Sequence, residues 1–387
     1  MANLVSTDLL SQILQFIIQR QPEMLQELQQ LVETESPSDN KAAVDKIGAH
    51  LAGEFESLGG RVTFHHAKEF GNHLQVDFAG RAGQKPLMLL GHFDTVWALG
   101  TLAKMPFRIA DGRAYGPGIF DMKSGIVMLL YAMSALRELD TGDHRPVTIL
   151  LGADEEAGSI SSRAIIENVA KRCEAVLVLE PAQGPQGLLK TARKGLGTYY
   201  IRVHGQASHA GVDFEKGHSA IVELSRQILE ITKFTDLTRG ITVSPGVIRG
   251  GTRSNVVAAE AFVEVDIRVA RADDAAPLEQ KFLSLRPFDP HCRLEITGGL
   301  NRPPMERTAG TVRLLEAAQD LAKNLGIDLG ESATGGGSDG NFTSALGIPT
   351  LDGLGAVGEG AHAAHESVFL EHLPLRTALL AGLIATV

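Results

Sequence analysis

Cysteine is almost absent from the sequence: only Cys173 and Cys292 occur, far apart and in no paired motif. A disulfide scaffold and a thiolate metal site are thereby excluded, which leaves both as small buried side chains in a reducing compartment. Positive charge is also scarce, with 36 Lys and Arg against 46 Asp and Glu and a formal net charge of -10. That balance argues against a nucleic-acid partner, which needs a basic face, though not against a local basic pocket. No uninterrupted apolar run reaches the roughly 18 residues of a membrane span, so no membrane partner is expected. The start, Met1 to Arg20, has no basic region ahead of its apolar residues, and Gln12, Gln15 and Gln19 interrupt them. It reads as an amphipathic helix instead of a secretory signal, and a cytoplasmic location is the expectation.

What the chain does have is length and alternation. At 387 residues it exceeds what one hydrophobic core usually holds, which predicts two domains. Short apolar runs at 86–90, 147–151 and 175–179 have the continuity of strands covered on both faces. Helical patterns fill the intervals over 124–139 and 161–172, and another covers 9–33 before Ser36-Pro37-Ser38 stops it. The alternation predicts an α/β fold with helices on both faces of a sheet. From Lys194 the texture changes to strand 198–203, helix 215–234, strands 241–248 and 258–269, helix 274–285 and strand 293–297. That βαββαβ order is the pattern of a small ferredoxin-like sandwich. A helix at 311–325 and a strand at 348–351 then resume the first pattern. The expected organisation is a catalytic α/β domain in two parts, 1–193 and 304–387, interrupted by an inserted domain over 194–303.

Each of the three apolar runs delivers His, Asp or Glu at its C-terminal end: His92 with Asp94, then Asp154-Glu155-Glu156, then Glu180. Open α/β sheets build their sites outside the carboxyl ends of their strands. Asp121, in the glycine-containing loop from Gly116 to Lys123, and a late imidazole, His362 or His365, extend the set. Imidazole and carboxylate without thiolate suit Zn, Mn or Co, and two ions about 3.5–4 Å apart need a carboxylate between them. Any one acidic residue at a strand end reads more readily as a cap or a solvated turn, and His92 alone as a half-buried histidine. Their joint occurrence reverses that reading.

Gly91-His92-Phe93-Asp94-Thr95-Val96, Gly116 to Gly125, Asp154-Glu155-Glu156-Ala157-Gly158 and Leu179-Glu180-Pro181 resemble the di-zinc aminoacylase and carboxypeptidase G metallopeptidases. The motifs stand in family order over nearly the whole chain. The resemblance implies two divalent metal ions, Zn2+ with Mn2+ or Co2+ as alternatives, bridged by Asp121. His92 and Glu180 would complete one site, and Glu156 with a C-terminal His the other. Glu155 would be the general base, and Asp94 would orient His92. The family pattern His-x-x-x-Glu selects His362 with Glu366, with His365 close enough to compete. The family also holds the peptide bond after the bridging Asp in the cis form.

The same resemblance makes the inserted ferredoxin-like domain a dimerisation domain and the protein a homodimer. His209, in Gly205 to Gly211, would reach the neighbouring subunit's site as an oxyanion donor; on sequence alone it is a turn histidine. Asn255 and Arg268 match family positions that hold a substrate carboxylate, and Gly336 lies in the glycine-rich loop Gly335 to Gly340. Arg302 is a further candidate and Lys194 a weaker one. Thr191 to Gly195, Gly250 to Asn255 and Gly298 to Arg307 are most similar to the glutamate carboxypeptidase branch. Release of Glu or Asp from an N-acyl, peptide or folate-like amide is therefore the expected reaction, on a small-molecule or dipeptide substrate with a free carboxylate. The rivals are an N-acyl amino acid deacetylase or aminoacylase with the same metals, and a non-catalytic metabolite-binding relative. The chain departs from the secreted carboxypeptidase G pattern in lacking a signal peptide and in the spacing before the last His.

Overall fold

The computed structural model describes residues 6–141 and 144–387, as two units of mixed α/β structure. The first comprises residues up to Ala192, with Arg307–Ala333 and Ser338–Val387. The second comprises Arg193–Glu306 together with Thr334–Gly337.

The centre of the first unit is a six-stranded sheet, in the order 61–65, 73–78, 147–152, 87–92, 175–178, 350–351. The last four strands in that order run parallel, and the first two join antiparallel. Leu87–His92 and Val147–Gly152 are buried at every position, because the sheet is covered on both faces. Leu87 and Leu89 enter one large core beneath the helices near both chain ends, whereas Met88 and Leu90 enter a smaller one with Ile166, Val169 and Phe342. The unbroken apolar runs in the sequence have this two-sided burial as their cause.

The helix Ser124–Glu138 packs against Thr7–Gln19, Gln21–Glu33 and His372–Thr386. With the residues ahead of it, over Ile119–Glu138, it forms a 20-residue stretch long and apolar enough to match a membrane span by length and composition, although Asp121 and Lys123 interrupt its apolar run. Some 83% of the matching stretch is buried within the unit, so a core helix accounts for its apolarity. The single helix expected over 9–33 is two, Thr7–Gln19 and Gln21–Glu33, broken at Arg20. Pro22 lies in the first turn of the second, where its missing N–H is tolerated; inside a continuous helix it would remove a bond.

Beside this sheet lies a smaller antiparallel one of four short strands, in the order 358–359, 367–369, 113–115, 108–110. Its strands have two or three residues each, too few to show a sequence period. It nevertheless carries the loop leaving Tyr115 and the segment around His362.

In the second unit the strands Gly195–His204, Thr242–Gly250, Glu260–Val269 and Arg293–Arg302 alternate with the helices Ala220–Ile231 and Ala272–Leu283 in βαββαβ order. The antiparallel sheet runs 242–250, 260–269, 195–204, 293–302. Alternate residues Tyr199, Ile201 and Val203 are buried with Val263, Val265 and Ile267, and Phe282 stacks on Tyr199 at 3.9 Å. The helix expected over 215–234 is shorter: Ser219 caps its start by accepting from Val222 N–H, and only 220–231 is α-helical.

Candidate metal centre

His92 ends a strand buried at every position, and its ring is 1% exposed. Nδ1 lies 3.0 Å from the Asp94 carbonyl, so the N–H on that nitrogen donates there and Nε2 is free to act as a ligand. Around Nε2 stand Asp121 Oδ1 at 3.3 Å and Glu180 Oε1 at 3.6 Å. A second grouping faces the other oxygen of Asp121: His362 Nε2 is 3.5 Å from Oδ2 and 3.0 Å from Glu156 Oε1. In each trio the ligand atoms lie within 4.8 Å of one another. Asp121 is therefore common to both, one oxygen to each. Its peptide bond to Met122 is cis.

His362 belongs to the second grouping, whereas His365 lies outside both; each is exposed. His362 itself takes a left-handed backbone (φ 62°), uncommon for a side chain with a Cβ.

Electrostatics fit a cation here. Burial disfavours the charged form of His92, yet the carboxylates of Asp121, Asp94 and Glu180 hold its pKa well above the imidazole range. Asp121 and Glu156 likewise raise His362 to about 10. Burial, together with the nearby Asp121, raises the carboxyl of Glu156. Carboxylates crowded against two imidazoles, with N and O donors only, form a site that a hard or borderline divalent cation completes.

The remaining strand-end residues divide into two roles. The carboxylate of Asp94, fully buried, accepts the backbone N–H of Glu155 at 3.1 Å and of Glu156 at 3.2 Å, and the Ser38 hydroxyl at 2.6 Å. It thus holds the segment bearing Glu155 and Glu156 as well as contacting His92. Asp154 is no ligand, although it shares the acidic run: its oxygens accept the N–H and hydroxyl groups of Ser161 and Ser162. Glu155 stands outside both trios among the described residues. Lys123 is fully buried and donates to the Thr34 carbonyl at 2.9 Å, and burial lowers its pKa to about 7.

A third trio, Glu27, His50 and Glu54, lies on two helices, where His50 Nε2 and Glu27 Oε1 form a helix-to-helix hydrogen bond of 2.6 Å.

The other sequence candidates lie in the second unit. His209 and Asn255 are exposed and adjacent, since Ala210 N–H donates to the Asn255 carbonyl at 3.0 Å and His209 bridges to Val256. Arg268 is already engaged: its guanidinium donates to both oxygens of Asp266 at 3.0–3.2 Å and to the Gly335 carbonyl at 2.9 Å. Arg193, which the sequence reading did not assign, donates to the carbonyls of Gly336 and Gly337 at 3.2 and 3.0 Å. Gly336 is exposed, while Arg302 is 4% exposed with its stem against Gly337. Lys194 is partly buried in the same unit. Two arginines thus fix the carbonyl side of the glycine loop.

Residues 88–386 match the model of the peptidase family M20/M25/M40. The chain is 32% identical over 372 residues to carboxypeptidase G2 of Pseudomonas sp. (strain RS-16), covering 94% of this chain and 89% of that one. In fold it is similar to the aminopeptidase PepT of Bacillus cereus, with a TM-score of 0.76, 22% identity and coverage of 95% and 98%. It is also similar to the Bacillus subtilis YXEP protein, a dinuclear metal-binding peptidase, with a TM-score of 0.68, 15% identity and coverage of 95% and 99%. This chain belongs to the peptidase family M20/M25/M40 and is a metallopeptidase-type hydrolase.

Proposed function

We propose that the protein is a two-metal carboxypeptidase that releases a C-terminal Glu or Asp from N-acyl, peptide or folate-like amides. The observation that carries the metal part is Asp121, which offers one oxygen to each imidazole-carboxylate grouping. His92, Asp121 and Glu180 would hold one ion, and Asp121, Glu156 and His362 the other, with Zn2+ first among divalent candidates. When bound, the pair would supply an activated water and polarise the scissile carbonyl. Glu155, held beside the ligands through its backbone N–H but not itself among them, would take the water's proton and deliver it to the leaving nitrogen. Asp94 would keep His92 in the ligating tautomer and Glu155 in reach.

Selection of a carboxylate would fall to the second unit. Asn255 and Arg268 are the groups that would receive it, with Arg302 a further candidate and Lys194 a weaker one, beside the Gly335–Gly337 loop whose carbonyls Arg193 and Arg268 hold. The likeness to carboxypeptidase G2 supports the carboxypeptidase reading. His209 and Asn255, exposed side by side, would complete the neighbouring subunit's site in a homodimer.

The test is amino-acid release by metal-loaded protein from a panel of N-acyl and dipeptide substrates, with a chelator control. Chelator-sensitive release chiefly of Glu or Asp is expected. Release of basic or neutral residues would overturn the substrate assignment and leave the metal chemistry standing. Metal-loaded protein that turns over nothing would favour the metabolite-binding relative.

A further inference from the structure

Glu366 immediately precedes the strand Ser367–Phe369, which pairs with Arg113–Tyr115 so that Ser367 faces Tyr115. That register sets Glu366 against the loop leaving Tyr115, and Gly116 N–H reaches the Glu366 carbonyl at 3.4 Å. The residue is 1% exposed, and four donors surround its carboxylate. Oε1 accepts the backbone N–H of Phe120 at 2.9 Å and of Asp121 at 3.0 Å. Oε2 accepts the N–H of Gly118 at 3.0 Å and the indole N–H of Trp97 at 2.8 Å. Gly118 turns through a left-handed φ of 70°, and a Cβ there would meet the Thr95 methyl at 2.5 Å.

Burying a carboxylate carries a large desolvation cost unless donors replace the water it loses. An ordinary loop would satisfy these N–H groups with carbonyls or solvent at no such cost. Only an ionised carboxylate offers enough acceptor sites on two oxygens to take all four donors; a carboxamide would point its own N–H groups at two of them. One of the donors, moreover, is the amide of Asp121, the residue shared by both ligand groupings.

We propose that Glu366 is a positioning residue: it forms the Gly118–Asp121 loop, and with it the two-sided presentation of Asp121, before any ion arrives. The inference rests on the reading of the two groupings as metal sites. Because Asp121 belongs to both, loosening its backbone weakens both ions together.

The experiment is a chelator-competition titration of Zn2+ on the full chain, comparing the parent with Glu366→Gln and Trp97→Phe. Glu366→Gln is expected to weaken both sites by about 10–100-fold, as loss of groups that orient metal ligands does. Trp97→Phe removes one neutral donor and keeps the three backbone ones, so a change below about fivefold is expected. A Glu366→Gln protein that binds two ions as tightly as the parent overturns the inference alone. A parent that holds no ions removes the metal reading with it.

Hydrogen exchange on the parent decides the matter even where Glu366→Gln fails to fold. Within the peptide over 116–123, the amides of Gly118, Phe120 and Asp121 are expected to exchange slowly in chelator-treated protein, because the Glu366 carboxylate accepts them. Exchange at open-loop rates until metal is added would mean that the ions order the loop, and would overturn the inference.

Discussion

Asp121 places Oδ1 3.3 Å from one imidazole and Oδ2 3.5 Å from another, so a single side chain defines two sites. The neighbouring question is which carboxylate stays out of the ligand set. Glu156 joins His362, whereas Glu155 is outside both trios with its N–H pinned to Asp94. Glu155→Ala should therefore lower kcat by about 10²–10⁴-fold, the usual worth of a general base, while metal analysis of the same sample still finds both ions. A rate near that of the parent would remove Glu155 from the chemistry. Loss of the ions would make it a ligand. His92, Glu156 and Glu180 at strand ends and Asp121 in its glycine-containing loop were legible in the sequence as candidates by residue type, and the structure groups them into the two trios. Asp154, in the same acidic run, instead accepts from Ser161 and Ser162. The tasks of Glu366 and Arg193 could not be read, because both bind backbone groups that only tertiary structure brings near.

Legibility at the level of elements follows burial. The strands 87–92, 147–152 and 175–178 stand within a residue or two of the apolar runs that announced them, as two-sided burial demands uninterrupted apolar residues. In the second unit one-sided burial gives alternation instead, as in Gly195–His204, which also shows through. Helix ends were less visible: the break at Arg20 depends on Pro22, and 163–170 is shorter than its helical pattern. Least legible was the small sheet of 108–110, 113–115, 358–359 and 367–369. Strands of two or three residues carry no period, yet this sheet aligns Glu366 with the Asp121 loop. The element that shapes the site is thus the one that pattern reading cannot see.

For the whole molecule, the division of labour is between a unit that holds every residue of both ligand trios and a unit that holds His209, Asn255 and Arg302. If His209 serves the neighbouring subunit's site, defects in the two units should complement. Glu155→Ala and His209→Ala, each nearly inactive alone, are expected to regain turnover when co-expressed, since a mixed dimer contains one site with both residues intact. Absence of recovery in isolated mixed dimers would place His209 outside that role.

The central claim, however, is that one carboxylate serves two ions. Metal content per chain, measured after equilibration with Zn2+ and removal of loose ions, tests it most directly. The parent should hold two ions, and Asp121→Asn should lose affinity at both sites together. Two ions retained by Asp121→Asn, or one site emptied with the other untouched, would contradict a shared ligand.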